Sequence, residues 1–174
     1  MKSTEVYALL KSELGPWFKA SGFKRADSFL SWSRPHGELH ITVWCQVSRD
    51  GWDDYAGSKF VVEFQLAREP IVGAGAKRRQ RLASLLTVEQ RESARRIENN
   101  VISSLKKPPK THPTLHVSPH VTQWYLAKYD AVAAPYPDGH DLWLRYARPE
   151  HVSHWAQFIL PLLPGCVSAV EAGG

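Results

Sequence analysis

Eight histidines, two cysteines and a small set of clustered acids are the residues of this 174-residue chain best suited to chemistry. His112, His116 and His120 recur every four residues, a spacing that on a helix would stack three imidazoles on one face, as a zinc site requires. Pro113 and Pro119 break any such helix. A metal would then need a loop to converge the three with His151 and His154, which fall one turn apart on an expected closing helix. No glutamate accompanies that pair in the zinc-hydrolase pattern, so a metal-dependent hydrolase is the weakest of three functional readings, and no metal or cofactor is expected.

Asp50, Asp53 and Asp54 share one short loop but lack the spacing of a helix-flanked calcium motif, and solvated hairpin loops commonly carry acids. Cys45 falls on the core side of an expected strand, opposite His40, so the two form no nucleophile and base pair. No Gly-x-Ser-x-Gly elbow is present, and Glu38 and Glu63 read as outer-face charges rather than an acid pair. With only Cys45 and Cys166 there is no disulfide framework, which points to a reducing cytoplasm. The expectation is a protein without enzymatic activity.

The elements that must position any site are clearer. Residues 38–48 alternate, with Leu39, Ile41, Val43, Cys45 and Val47 on one face and His40, Thr42, Trp44 and Gln46 on the other. Residues 60–67 repeat the pattern, with Phe60, Val62, Phe64 and Leu66 inward and Glu63 and Gln65 outward, and a run from Phe29 to Arg34 completes a three-stranded meander. A fourth strand is expected over residues 141–146. The outer face would then offer His40, Trp44, Gln46, Glu63 and Gln65, joined by Trp32 if the register allows, as a platform for a peptide, a protein or a base. If a helix covers that face, Trp44 is core instead.

Helices frame the meander. The first opens at Ser3 or Thr4 as cap, runs through Val6, Leu10 and Leu14, meets Gly15 and Pro16, and ends at Gly22. From Lys77 the pattern reads as helical. Thr87 and Gln90 form a capping box ahead of the stripe Ala94, Ile97, Val101 and Leu105, and Pro108 and Pro109 close the segment. A short helix with Val121, Trp124 and Tyr125 follows. Pro149 opens the last one, with Val152, Trp155, Ile159 and Leu162 or Leu163 buried before Pro164 and Gly165 stop it. The fold expected is one α+β domain spanning residues 1–174. It has an antiparallel sheet of about four strands, packed by an N-terminal helix, a long basic central helix and a C-terminal helix.

Charge singles out the central segment. Net charge is +5, yet residues 76–110 alone hold ten Lys or Arg against three Glu, so the basicity is local. Lys77, Arg78, Arg79, Arg81, Arg91, Arg95 and Lys106 could face phosphates, which makes a nucleic-acid-binding accessory protein the second reading. A solvated helix face is the commoner origin of such a run. The amino terminus carries no signal-peptide pattern, and residues 151–170, the longest nearly uncharged stretch, hold two His, two Pro and a Gly, so no membrane contact is expected.

The succession of Gly22, Phe23, Lys24, Arg25 and Phe29, then Gln46, Ser48 and Trp52, then Phe60 and Val62, resembles a bacterial family of unknown function. Leu85, Leu86, Thr87, Glu89 and Arg91 and the closing helix from Trp155 to Leu163 are similar to it as well. The resemblance implies a small soluble α+β protein and brings no catalytic residues. The first functional reading is a non-enzymatic cytoplasmic interaction protein of bacterial type that binds a protein partner, a class that includes toxin-neutralising and defence-associated proteins. The positive charge argues against neutralising a basic nuclease.

Overall fold

The computed structural model describes residues 1–26, 30–106 and 142–172. A helix, α1 (Ser3–Ala20), leads into a short strand β1 (Lys24–Arg25) and the meander β2 (Leu30–His36), β3 (Leu39–Val47) and β4 (Ser58–Ala67). Next come β5 (Ala76–Arg81), α2 (Leu82–Leu85) and α3 (Val88–Ser103). Strand β6 (Leu144–Tyr146) precedes α4 (Pro149–Ile159), which passes through a 3-10 turn, Leu160–Leu162, into α5 (Leu163–Glu171).

The architecture is α+β, with six antiparallel strands among the described residues rather than about four. They run in the order β1-β2-β3-β4-β5, and β6 also pairs with β4. The two strands beyond the expected set are β1, which pairs Lys24 with Ser33, and β5. Strand β4 is long enough to hold two partners along one side: β6 takes Ser58 to Phe60 and β5 takes Glu63 to Ala67.

Register places the alternating residues as their period demands. Ile41, Val43, Cys45 and Val47 face Leu66, Phe64, Val62 and Phe60 across the β3–β4 ladder, and all eight are buried. Helices α1, α4 and α5 cover this face. Val6, Leu10, Leu14 and Phe18 form the buried stripe of α1, and Phe18 stacks on Trp32 with ring centroids 4.2 Å apart. Val152, Trp155 and Ile159 are the buried stripe of α4.

Three helix boundaries differ from expectation. Helix α1 is capped at Lys2, whose backbone N–H is accepted by Glu5, and it continues through Pro16. Pro164 does not end the C-terminal helix. It lies in the first turn of α5, where a missing N–H leaves no hydrogen bond unmade. The long basic central helix is not found, because residues 76–81 are strand and only the part after Thr87 is extended helix. Its capping box is as expected, with the Thr87 hydroxyl accepting from the Gln90 N–H and the Gln90 side chain accepting from the Thr87 N–H.

Candidate functional site

The two faces of the sheet separate the expected platform residues. Trp32 pairs with Val43 and so belongs to the helix-covered face, and the residue of β2 beside Trp44 is Ser31. Trp32 is therefore core, packed on Phe18, and cannot join a surface with Trp44. On the other face Trp44, Glu63 and Gln65 are at most 1% exposed, while His40 and Gln46 are half-buried. That face is not an open platform.

Its polar groups are committed to holding the chain together. Glu63 accepts from Arg79 Nε at 2.6 Å and lies 3.4 Å from Arg81 Nε, which places two guanidinium groups on one buried carboxylate. The Arg79 guanidinium also lies over the Trp44 ring, 5.2 Å from its centroid. Gln65 ties down the β4–β5 connection: its amide donates to the carbonyls of Ile71 and Ala74 and accepts from the Gly73 N–H.

The expected nucleic-acid residues divide between two elements of different charge. Strand β5 carries Lys77, Arg78, Arg79 and Arg81 with no acid among them. Helix α3 balances three arginines with three glutamates, so it is neutral. Arg95 pairs with Glu92, Arg91 reaches the Leu86 carbonyl, and Lys106, beyond the helix, meets Asp54 at 2.6 Å. The basic patch is thus a strand at the edge of the sheet formed by the described residues. Period two, not 3.6, governs these residues: Arg79 and Arg81 project to the same face two residues apart, Arg81 directly across from Glu63 and Arg79 across from Gln65, and both reach Glu63. Lys and Arg favour helices intrinsically, but the unpaired half of β4 and the buried Glu63 outweigh that preference.

The metal-type clusters do not assemble among the described residues. His151 is buried on α4 and accepts the Ala147 N–H at Nδ1, 3.1 Å away, whereas His154 is exposed. His112, His116 and His120 lie outside the described residues, as does the short helix expected around Trp124. Each loop aspartate has its own partner: Asp50 accepts from Ser48, Asp53 from the Tyr55 and Ala56 amides, and Asp54 from Lys106. Burial pushes the Cys45 thiol up to about 12 and Cys166 to about 11, values that leave neither sulfur ionised near neutral pH.

Sequence reasoning missed one buried constellation. Arg145 turns its backbone N–H and C=O away from β4, and both are met: Glu98 accepts the N–H at 3.3 Å and the Trp155 indole donates to the carbonyl at 2.6 Å. The Arg145 side chain reaches Glu98 at 3.0 Å and the Ala56 carbonyl at 2.7 Å. Burial raises the Glu98 carboxyl above its ordinary range, against the opposing pull of Arg145. A signal was present, since Glu98 lies one turn after Ala94 and three residues before Val101, on the buried stripe of its helix. This arrangement satisfies the backbone groups of β6 that face away from β4. Comparison with protein-family models, with curated proteins and with solved structures finds no match to this chain.

Proposed function

We propose that this chain is a non-enzymatic interaction protein whose docking element is strand β5, and that its partner contributes an acidic, extended segment of a second protein. The supporting observation is a strand with four cations in six residues that has only β4 as a ladder partner among the described residues. An added strand would gain main-chain hydrogen bonds from such an edge, and its carboxylates would meet Lys77 and Arg78. Two copies of the chain pairing through this edge would bring like charges face to face, so self-association there is disfavoured. Trp44, Glu63 and Gln65 support the strand from beneath and contribute no contact surface.

Binding of nucleic acid phosphates is the second reading, favoured by the same density of cations. One titration tests both: fluorescence anisotropy of a labelled Asp/Glu-rich peptide and of labelled single- and double-stranded DNA and RNA, across salt. The charge-reversed variant Lys77→Glu/Arg78→Glu is the control, because Arg79 and Arg81 are needed to balance Glu63. Peptide binding lost in the variant supports the first reading. Tighter binding of nucleic acid than of the peptide, also lost in the variant, moves the assignment to the second.

A further inference from the structure

At the end of the strand order opposite β5, an apolar groove of about 600 Å³ opens between α1 and β1. Lys11, Gly15 and Lys19 follow one another at four-residue intervals, which puts them on one face of α1 with the glycine as a notch between two lysines. A Cβ at Gly15 would meet nothing within 4 Å beyond its chain neighbours and the helix backbone, so the notch is open. Pro16, Phe23 and Trp32 line the groove beside it. Both rings are fixed by packing on Phe18, Trp32 stacked at 4.2 Å and Phe23 edge-on at 5.3 Å, so the apolar lining is preformed.

The charge around this groove has one sign. Among the described residues no acid lines it. Lys11 and Lys19 are exposed and form no ion pair among the described residues. Glu13 stands two residues from Lys11, a spacing at which side chains on a helix do not face each other. Arg25 adds a third cation, which donates to the Ser31 carbonyl and lies over the Trp32 ring. Pro16 has no N–H to return to the Ser12 carbonyl, so that acceptor lacks its usual intrahelical partner.

We infer that the groove docks an extended segment of a partner protein in which one apolar side chain stands between two acids, in the pattern acid-x-apolar-x-acid. Charge complementarity selects an acidic partner, and spacing selects its form. Eight residues of α-helix separate the two lysines by about 12 Å along the axis. In an extended chain residues i, i+2 and i+4 share one face, and the outer two lie about 13 Å apart. Both acids then reach a lysine while the middle side chain enters the notch at Gly15. A small carboxylate would satisfy one lysine and not both. Pairing of two copies through this groove would set lysines against lysines, which disfavours self-association here.

The probe is a labelled peptide centred on Glu-Ser-Phe-Ser-Glu, compared with Glu-Phe-Ser-Ser-Glu, where moving the phenylalanine one place turns its ring to the opposite face at unchanged charge. Fluorescence anisotropy with the full chain is expected to show the first peptide binding about tenfold more tightly than the second. Lys11→Glu/Lys19→Glu should remove that preference, and so should Gly15→Leu, which fills the notch. The peptide comparison is made on the parent chain, so it stands even if the crowding of a Cβ by Pro16 disturbs α1 in Gly15→Leu. Lys77→Glu/Arg78→Glu should retain the preference, which separates this groove from β5. Equal affinity of the two peptides for the parent chain would overturn the proposal, as would a preference that survives Lys11→Glu/Lys19→Glu. Labelled single-stranded DNA that binds more tightly than the first peptide, and is lost in Lys11→Glu/Lys19→Glu, would also overturn it.

Discussion

Trp44 shows most directly how a side chain's role depends on what lies above it. Its position on the non-core face of β3 follows from strict alternation, and residue type alone suggested a recognition surface. Its burial was not legible, and one group that lies over the ring, the Arg79 guanidinium, comes from a strand expected to be helix. Trp44→Ala should therefore destabilise the fold by about 3–5 kcal/mol, read by urea denaturation, as for other large-to-small changes in a core. A variant of unchanged stability would return Trp44 to the surface. His151 offers a second test at this scale. Burial holds its imidazole below the ordinary value of 6.5, Glu150 pulls the other way, and the neutral ring accepts the Ala147 N–H at Nδ1. A lowered folded value means that the unfolded chain takes up the proton first. Stability from this group is therefore fully present above about 6.5 and falls as pH drops through the folded value. His151→Gln, which retains an acceptor, should flatten the acid limb of the stability–pH curve measured by denaturant titration.

At the scale of elements, the meander and the first and last helices were legible because each has a single unbroken period: two in β3 and β4, 3.6 in α1 and α4. The segment after Pro70 was not. Its cations carry no apolar alternation to mark a strand, and the leucines after Arg81 continue a helical pattern backwards into it. What makes it a strand is non-local, namely the free half of β4 and the buried carboxylate of Glu63. The β6 edge rests on similarly distant partners, since Glu98 and Trp155 arrive from two helices to meet the outward backbone groups of Arg145. Arg145→Met should cost about 3–5 kcal/mol by leaving Glu98 buried and unpaired, and Glu98→Gln distinctly less, because the amide still accepts the Arg145 N–H. Equal losses in chemical denaturation would mean that the ion pair itself, rather than the edge cap, holds β6 in place.

Over the whole molecule, charge and apolar surface are segregated. One face of the sheet is buried under α1, α4 and α5, the groups of the other are tied into internal contacts, and the excess positive charge among the described residues gathers on strand β5 while α3 is neutral. Among the described residues no helix is long and apolar enough to cross a membrane. Composition revealed that the basicity is local. Only the structure shows that two of its cations, Arg79 and Arg81, serve Glu63. The decisive measurement is anisotropy of an acidic peptide against the parent chain and Lys77→Glu/Arg78→Glu, at rising salt. Binding that weakens steeply with salt and disappears in the reversed-charge variant, with its stability unchanged, is the predicted result. Equal affinity for the two chains would contradict β5 as the docking element.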